Sequence, residues 1–104
     1  MKIINIYNNF NDEVINSKEP VIVDFWASWC GPCKMFGPIF EKVSQKYNNI
    51  KFCKLNVDED ENDIARKLGV MSIPTTIIFK NGKEIKRNVG FLDEDSLINF
   101  VENI

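Results

Sequence analysis

The stretch Val21-Ile22-Val23-Asp24-Phe25-Trp26-Ala27-Ser28-Trp29-Cys30-Gly31-Pro32-Cys33-Lys34 decides how this chain folds. Its first six residues are β-branched or aromatic apart from Asp24, the pattern of a central strand buried on both faces. Beyond the loop, Phe36, Phe40, Val43 and Tyr47 fall on one helical stripe, which predicts a helix from Pro32 to Tyr47. Pro32 suits the first turn, where its missing N–H costs nothing, whereas Pro38 lies inside and should kink the helix. Gly37, just before it, should loosen the same turn. The two cysteines therefore sit at a junction between a buried strand and a helix start.

Working outward, Ile3 to Tyr7 reads as a short first strand, and Asn8 or Asn9 as the cap of a helix carrying Phe10, Val14 and Ile15. Pro20 ends that segment. Ile50 to Val57 reads as a third strand, followed by a short helix from Asn62 to Leu68 that Gly69 stops. Thr75 to Phe79 and Glu84 to Val89 are strands joined across Asn81-Gly82, a strong hairpin signal. Asp93 caps a last helix with Glu94 and Asp95 in its first turn and Leu97, Phe100, Val101 and Ile104 along its apolar face. The order β-α-β-α-β-α-β-β-α defines an α/β fold. Crossover helices imply parallel pairing early and the hairpin an antiparallel end, giving a mixed five-stranded sheet flanked by four helices.

Composition narrows the function. A chain of 104 residues, 44% hydrophobic and 27% charged, is expected to form one soluble domain, residues 1–104, with a core that needs no staples. A net charge of −2 offers no basic field for nucleic acid. No apolar run approaches a membrane span, and Met1-Lys2-Ile3-Ile4-Asn5 lacks the apolar stretch of a leader, so a cytoplasmic location is expected.

The chemistry is concentrated in Trp29-Cys30-Gly31-Pro32-Cys33. Two intervening residues at a helix N-terminus let the sulfurs meet in a short ring. Cys30 is expected at the exposed, dipole-positive end, where a thiolate is favoured, and Cys33 one turn in and buried. A thiol of pKa near 8.5 is about 3% ionised at neutral pH, and one near 7 about half ionised. That difference corresponds to about 2 kcal/mol, which a favourable helix terminus supplies. Two other readings of the pair exist. A structural disulfide closing so short a loop would stabilise by only about 2 kcal/mol, and a reducing compartment would open it. A zinc site needs about four ligands, but the chain has this pair, the distant Cys53 and no histidine. Redox exchange is the stronger reading.

The run from Val23 to Lys34 resembles the thioredoxin-family signature. Further matches are Pro38, Lys54-Leu55-Asn56-Val57-Asp58, Ile73-Pro74-Thr75, Phe79-Lys80-Asn81-Gly82 and Gly90. The likeness extends from near the N-terminus to the last helix with no evident insertion. It implies the thioredoxin fold and a protein-disulfide reductase, with Cys30 as nucleophile and Cys33 as resolving thiol of a redox-active disulfide. Asp24, costly to ionise in an apolar strand, would assist proton transfer at Cys33 through water, with a strand-end aspartate facing solvent the alternative. Lys54 resembles the lysine beside that aspartate, though a strand lysine also serves simply as a solvated face. The resemblance implies a cis bond between Ile73 and Pro74, leaving the Ile73 backbone beside the disulfide to pair with an extended substrate. Trp29, Gly31, Pro32, Ile73, Pro74, Val89 and Gly90 would form the substrate-binding patch. Trp26 and Asp58 resemble the pair that supports the active-site loop, with a plain core role for Trp26 the alternative.

No cofactor or metal is implied on the chain itself. NADPH and FAD would act through thioredoxin reductase, and the substrates expected of the family are ribonucleotide reductase, peroxiredoxins and methionine sulfoxide reductases. A monomer is expected, and the charge and hydropathy read above imply neither nucleic acid nor membrane as a partner. Three residues depart from the pattern: Phe91 after Gly90, which should narrow the groove or make it more apolar, Gly37, and the extra Cys53, read as an inert strand cysteine. Gly31-Pro32 between the cysteines looks like a reductant, whereas a histidine there would favour an oxidase or isomerase. A non-catalytic binding module of the same fold is the other alternative.

Overall fold

Strand β2 (Val21–Trp26) runs through the middle of the sheet in the computed structural model, which describes residues 3–104. Met1 and Lys2, part of the N-terminal run considered for a leader, lie outside the described residues. The strand order is β1-β3-β2-β4-β5, with β1 (Ile4–Ile6), β3 (Lys51–Asn56), β4 (Thr75–Lys80) and β5 (Lys83–Val89) around β2. β1, β3 and β2 pair in parallel, while β2–β4 and β4–β5 are antiparallel. The mixed sheet is the one the element order demands.

Alternation along β2 divides the interior in two. Val21, Val23 and Phe25 join Phe10, Val14, Cys53, Leu55, Ile77 and Phe79 on one face. Ile22 joins Phe36, Phe40, Val43, Phe52, Ile78, Leu97 and Val101 on the other. The first core is covered by a π-helical segment (Asn11–Ile15) and a short helix α2 (Ile64–Lys67), the second by α1 (Gly31–Ser44) and α3 (Glu94–Val101). Burial of both faces is why β2 tolerates almost no polar residue. No described helix is long and apolar enough to cross a membrane.

The helices start and stop differently from the sequence reading in three places. Asn9 does not cap the first helical segment; its Oδ1 accepts the Tyr7 amide N–H at 3.0 Å, and the segment starts after Phe10. Its carbonyl bonds run five residues back, from Asn16 N–H to Asn11 O at 2.8 Å, which lets so short a helix end before Pro20. α1 ends at Ser44, not Tyr47. There the Tyr47 ring turns onto Phe52 and its hydroxyl donates to Glu102, so tertiary packing takes the residue that would have extended the stripe. α2 is confined to Ile64–Lys67 because Asp63 takes a left-handed conformation; Asp60 instead accepts from the Ile64 and Ala65 amides at 2.9 and 2.8 Å. Asp93 caps α3 as expected, accepting from Ser96 N–H at 2.8 Å. Pro38 lies within α1, where it lacks the N–H that would bond the Lys34 carbonyl.

The hairpin turn is where sequence and tertiary fit meet. Asn81 and Gly82 have φ of 53° and 78°, the two positive values of a type I′ turn. A Cβ on Gly82 would also lie 2.9 Å from the Ile15 carbonyl oxygen, because the turn packs against the first helical segment. Gly82→Ala should therefore lose about 2 kcal/mol of stability in urea unfolding. A loss below about 0.5 kcal/mol, the range of an ordinary surface substitution, would refute this fit.

Candidate active site

The end of β2 delivers the chain to Trp29 and Cys30, and α1 starts at once. Cys30 is its N-cap, and its Sγ accepts the Cys33 amide N–H at 3.2 Å. The two sulfurs are joined as a disulfide with the Cα atoms 5.2 Å apart. Cys30 was expected at the exposed end, but it is only 6% exposed, against 2% for Cys33. The reason is a collar that local sequence does not reveal: Ala27 and the cysteines pack against Trp26, Val57 and Ile73, and the Ile73 carbonyl oxygen lies 3.7 Å from the Cys30 Sγ.

The surface around this recess is apolar. Trp29 is 68% and Val89 62% exposed; Gly31 and Pro32 are exposed, and Ile73 and Gly90 are half-buried. The Ile73–Pro74 bond is cis. Pro74, counted with the binding residues, is itself buried, so it shapes this patch from below. Its carbonyl accepts the Gly90 N–H at 2.8 Å, and Gly90 adopts φ of 107°, a conformation that favours glycine. Phe91 sets its ring edge-on to Phe36, with centroids 6.3 Å apart, and stays 43% exposed, so it widens the apolar surface. Met71, 94% exposed, escaped the sequence reading. It lines a groove of about 410 Å³ with Trp29, Val57, Val70 and Ile73, which Asp60 and Asp63 also line. Its place two residues before the Ile-Pro step was the signal available.

One pairing needs correction. Trp26 was matched with Asp58, yet it is Trp29 whose indole Nε1–H donates to the Asp58 carboxylate at 2.8 Å. Trp26 receives Lys54 instead, the ammonium lying 4.4 Å from the ring centroid. The cause is topological: Asn56 is the β3 partner of Trp26, and its side chain turns the chain by accepting the Asp58 amide, which brings Asp58 out beneath the loop tryptophan.

Asp24 is fully buried on the α1 face of β2, in register with Lys54 on β3 and Thr76 on β4. Among the described residues, neither carboxylate oxygen has a hydrogen-bond partner. Loss of hydration raises its pKa from 3.8 to about 7, and the charge of Lys54 only partly opposes that rise. Asp24 and Lys54 are thus brought together below the helix that carries Cys33. Cys53 is fully buried on β3, and burial pushes its thiol up to about 12, so it stays protonated and unreactive, as its strand position suggested.

A recessed disulfide at a helix N-terminus, ringed by apolar surface and backed by a buried carboxyl, defines a protein that exchanges thiols with disulfides. Comparisons with known proteins agree. The family model named Thioredoxin matches residues 2–103. The chain is 44% identical to a thioredoxin of Mycoplasma genitalium, covering 88% of this chain and 89% of that one. It is also 44% identical to one of Rickettsia bellii (91% and 90% covered) and 41% identical to one of Pseudomonas aeruginosa (96% and 94%). The chain belongs to the thioredoxin family. It is a thiol–disulfide oxidoreductase, a protein-disulfide reductase.

The raised pKa of Asp24 has a consequence for stability. In the unfolded chain its carboxyl ionises near pH 4, and in the folded protein near 7. Between those values the folded state holds a proton that the unfolded state has released, so stability falls as pH rises across the window. Below about pH 4 both states are protonated and the penalty is absent; above about pH 7 it is complete, at up to about 4 kcal/mol. Asp24→Asn removes this dependence, so its unfolding free energy should gain on the wild type from pH 4 to 7 and then stay level. Parallel curves would refute the buried, proton-holding carboxyl.

Proposed function

We propose that Cys30 is the attacking thiolate and Cys33 the resolving one. The supporting observation is that the Cys30 sulfur caps α1 and accepts the Cys33 amide, where N–H dipole and hydrogen bond both favour negative charge. The Cys30 thiolate attacks one sulfur of a protein disulfide, forming a mixed disulfide and expelling a substrate thiolate. Cys33, giving its proton toward Asp24, then attacks Cys30 Sγ. The second substrate thiolate leaves, and the Cys30–Cys33 disulfide remains. Two electrons pass to the substrate.

Lys54 holds the Asp24 side of this transfer by its positive charge. Trp29, Gly31, Pro32, Ile73, Val89 and Gly90 receive an extended substrate segment, with Pro74 fixing the backbone below them. The chain works as a single cytoplasmic domain and a monomer, with no cofactor of its own. Electrons return from NADPH through the FAD of a thioredoxin reductase, making the chain an electron carrier. Substrates of the ribonucleotide reductase, peroxiredoxin and methionine sulfoxide reductase classes fit this reading. Gly31-Pro32, with no histidine between the cysteines, favours reduction over oxidation or isomerisation.

Reduction of insulin disulfides with dithiothreitol tests the roles. Cys30→Ser should abolish turnover, whereas Cys33→Ser should accumulate a mixed disulfide through Cys30. In the reduced protein, iodoacetamide should alkylate Cys30 much faster than Cys33. Equal rates, or a mixed disulfide formed on Cys33, would overturn the assignment. A Cys30→Ser, Cys33→Ser double variant that still fulfils the biological role would favour the binding-module reading.

A further inference from the structure

Among the described residues, five polar or charged side chains are buried: Ser17, Asp24, Ser44, Thr75 and Thr76. Ser17, Ser44 and Thr75 each donate their hydroxyl to a backbone carbonyl, those of Glu19, Glu41 and Ser72. Only Asp24 and Thr76 have side-chain atoms without a partner, both carboxylate oxygens and the hydroxyl Oγ1. These two residues are directly opposite each other in the β2–β4 register. Strand alternation puts both on the α1 face, since their neighbours Ile22 and Ile78 lie there and Val23 and Ile77 lie on the other. Both are 0% exposed.

Two orphaned groups facing each other are complementary. Thr76 has a donor and Asp24, when ionised, only acceptors. Opposed residues on one sheet face have Cβ atoms about 5 Å apart, a gap that a threonine hydroxyl and a carboxylate together span. We propose that Thr76 is a positioning residue for Asp24: its hydroxyl turns onto the carboxylate as Asp24 ionises and stabilises the charged form. This rests on the reading of Asp24 as the proton acceptor for Cys33. It adds that the readiness of Asp24 to take and release that proton is set from β4 as well as from β3.

Among the described residues, the elements packed around Asp24 contribute the following groups. β3 contributes the Lys54 ammonium, whose charge favours the ionised carboxyl. α1 contributes Cys33, which is tied to Cys30, and the charged Lys34 and Glu41, which line one groove with Lys54. β4 contributes Thr76, and the buried residues of α3 are Leu97 and Val101, which do not titrate. With Lys54 unchanged, the unpartnered Thr76 hydroxyl is a neutral donor placed to discriminate between the two forms of the carboxyl.

The test compares Thr76→Val, which keeps the side-chain shape, with Thr76→Ser, which keeps the hydroxyl. Asp24 is followed directly by carbon-13 NMR of its carboxyl in the oxidised protein, and turnover separately by the pH profile of insulin reduction. A hydrogen bond to a charged group predicts that Thr76→Val moves the Asp24 midpoint up by about one pH unit, with Thr76→Ser near the wild type. If Asp24 also relays the proton, the matching limb of the turnover profile shifts with it. An unmoved NMR midpoint in Thr76→Val, or one moved equally in Thr76→Ser, overturns the proposal. A moved midpoint with an unmoved turnover profile supports the Thr76 contact and overturns only the relay role of Asp24.

Discussion

Helix α1 begins without a serine, threonine, aspartate or asparagine at its N-cap; the Cys30 sulfur fills that position by accepting the Cys33 amide. A buried helix start must satisfy its free N–H groups, and here the group that does so is also one half of the disulfide. The same constraint fixes the geometry around it. β2 must end at Trp26 for the loop to reach the cap, and Gly31 and Pro32 must fit the first turn, Pro32 needing no partner for its missing N–H. One sulfur thus serves both the helix cap and the disulfide.

The cap works because the sheet beneath it is rigid. β2 is buried on both faces and paired on both edges, so its C-terminal end is held by two cores at once. β4 runs antiparallel beside it, which brings the Ile73 carbonyl to the start of β4 and hence to the Cys30 sulfur. Gly90 then closes the far side by bonding the Pro74 carbonyl. The disulfide is recessed by this collar, while Trp29, Val89 and Met71 stay exposed around it. Any sulfur that reaches the disulfide must therefore enter this collar past an apolar rim.

Asp24 is the exception the sheet accepts in its most buried strand. Nothing in packing favours a carboxyl there, and its cost is visible in a pKa near 7. Lys54 offsets part of that cost from β3, its ammonium resting over Trp26 and near the backbone of Gly37. A side chain at Gly37 would meet the ammonium only at ordinary contact distance, so the glycine leaves room without being required for it. Packing alone does not explain a carboxyl kept in a core at such cost.

Much of this was legible in the chain alone. The strand-to-helix junction, the Asn81-Gly82 turn, the Asp93 cap and the buried aspartate all follow from local rules, because period, turn chemistry and capping act over a few residues. The Cys30–Cys33 pair is equally local, since a spacing of three at a helix start sets its geometry. Tertiary structure alone decided what depends on distant segments meeting. It recessed Cys30 behind Ile73, gave Asp58 to Trp29 and Lys54 to Trp26, shortened α1 by drawing Tyr47 onto Phe52, and set Thr76 opposite Asp24. Each of those contacts joins residues at least five apart and usually twenty or more. Sheet register and loop packing fix such contacts, and no propensity or short motif encodes them.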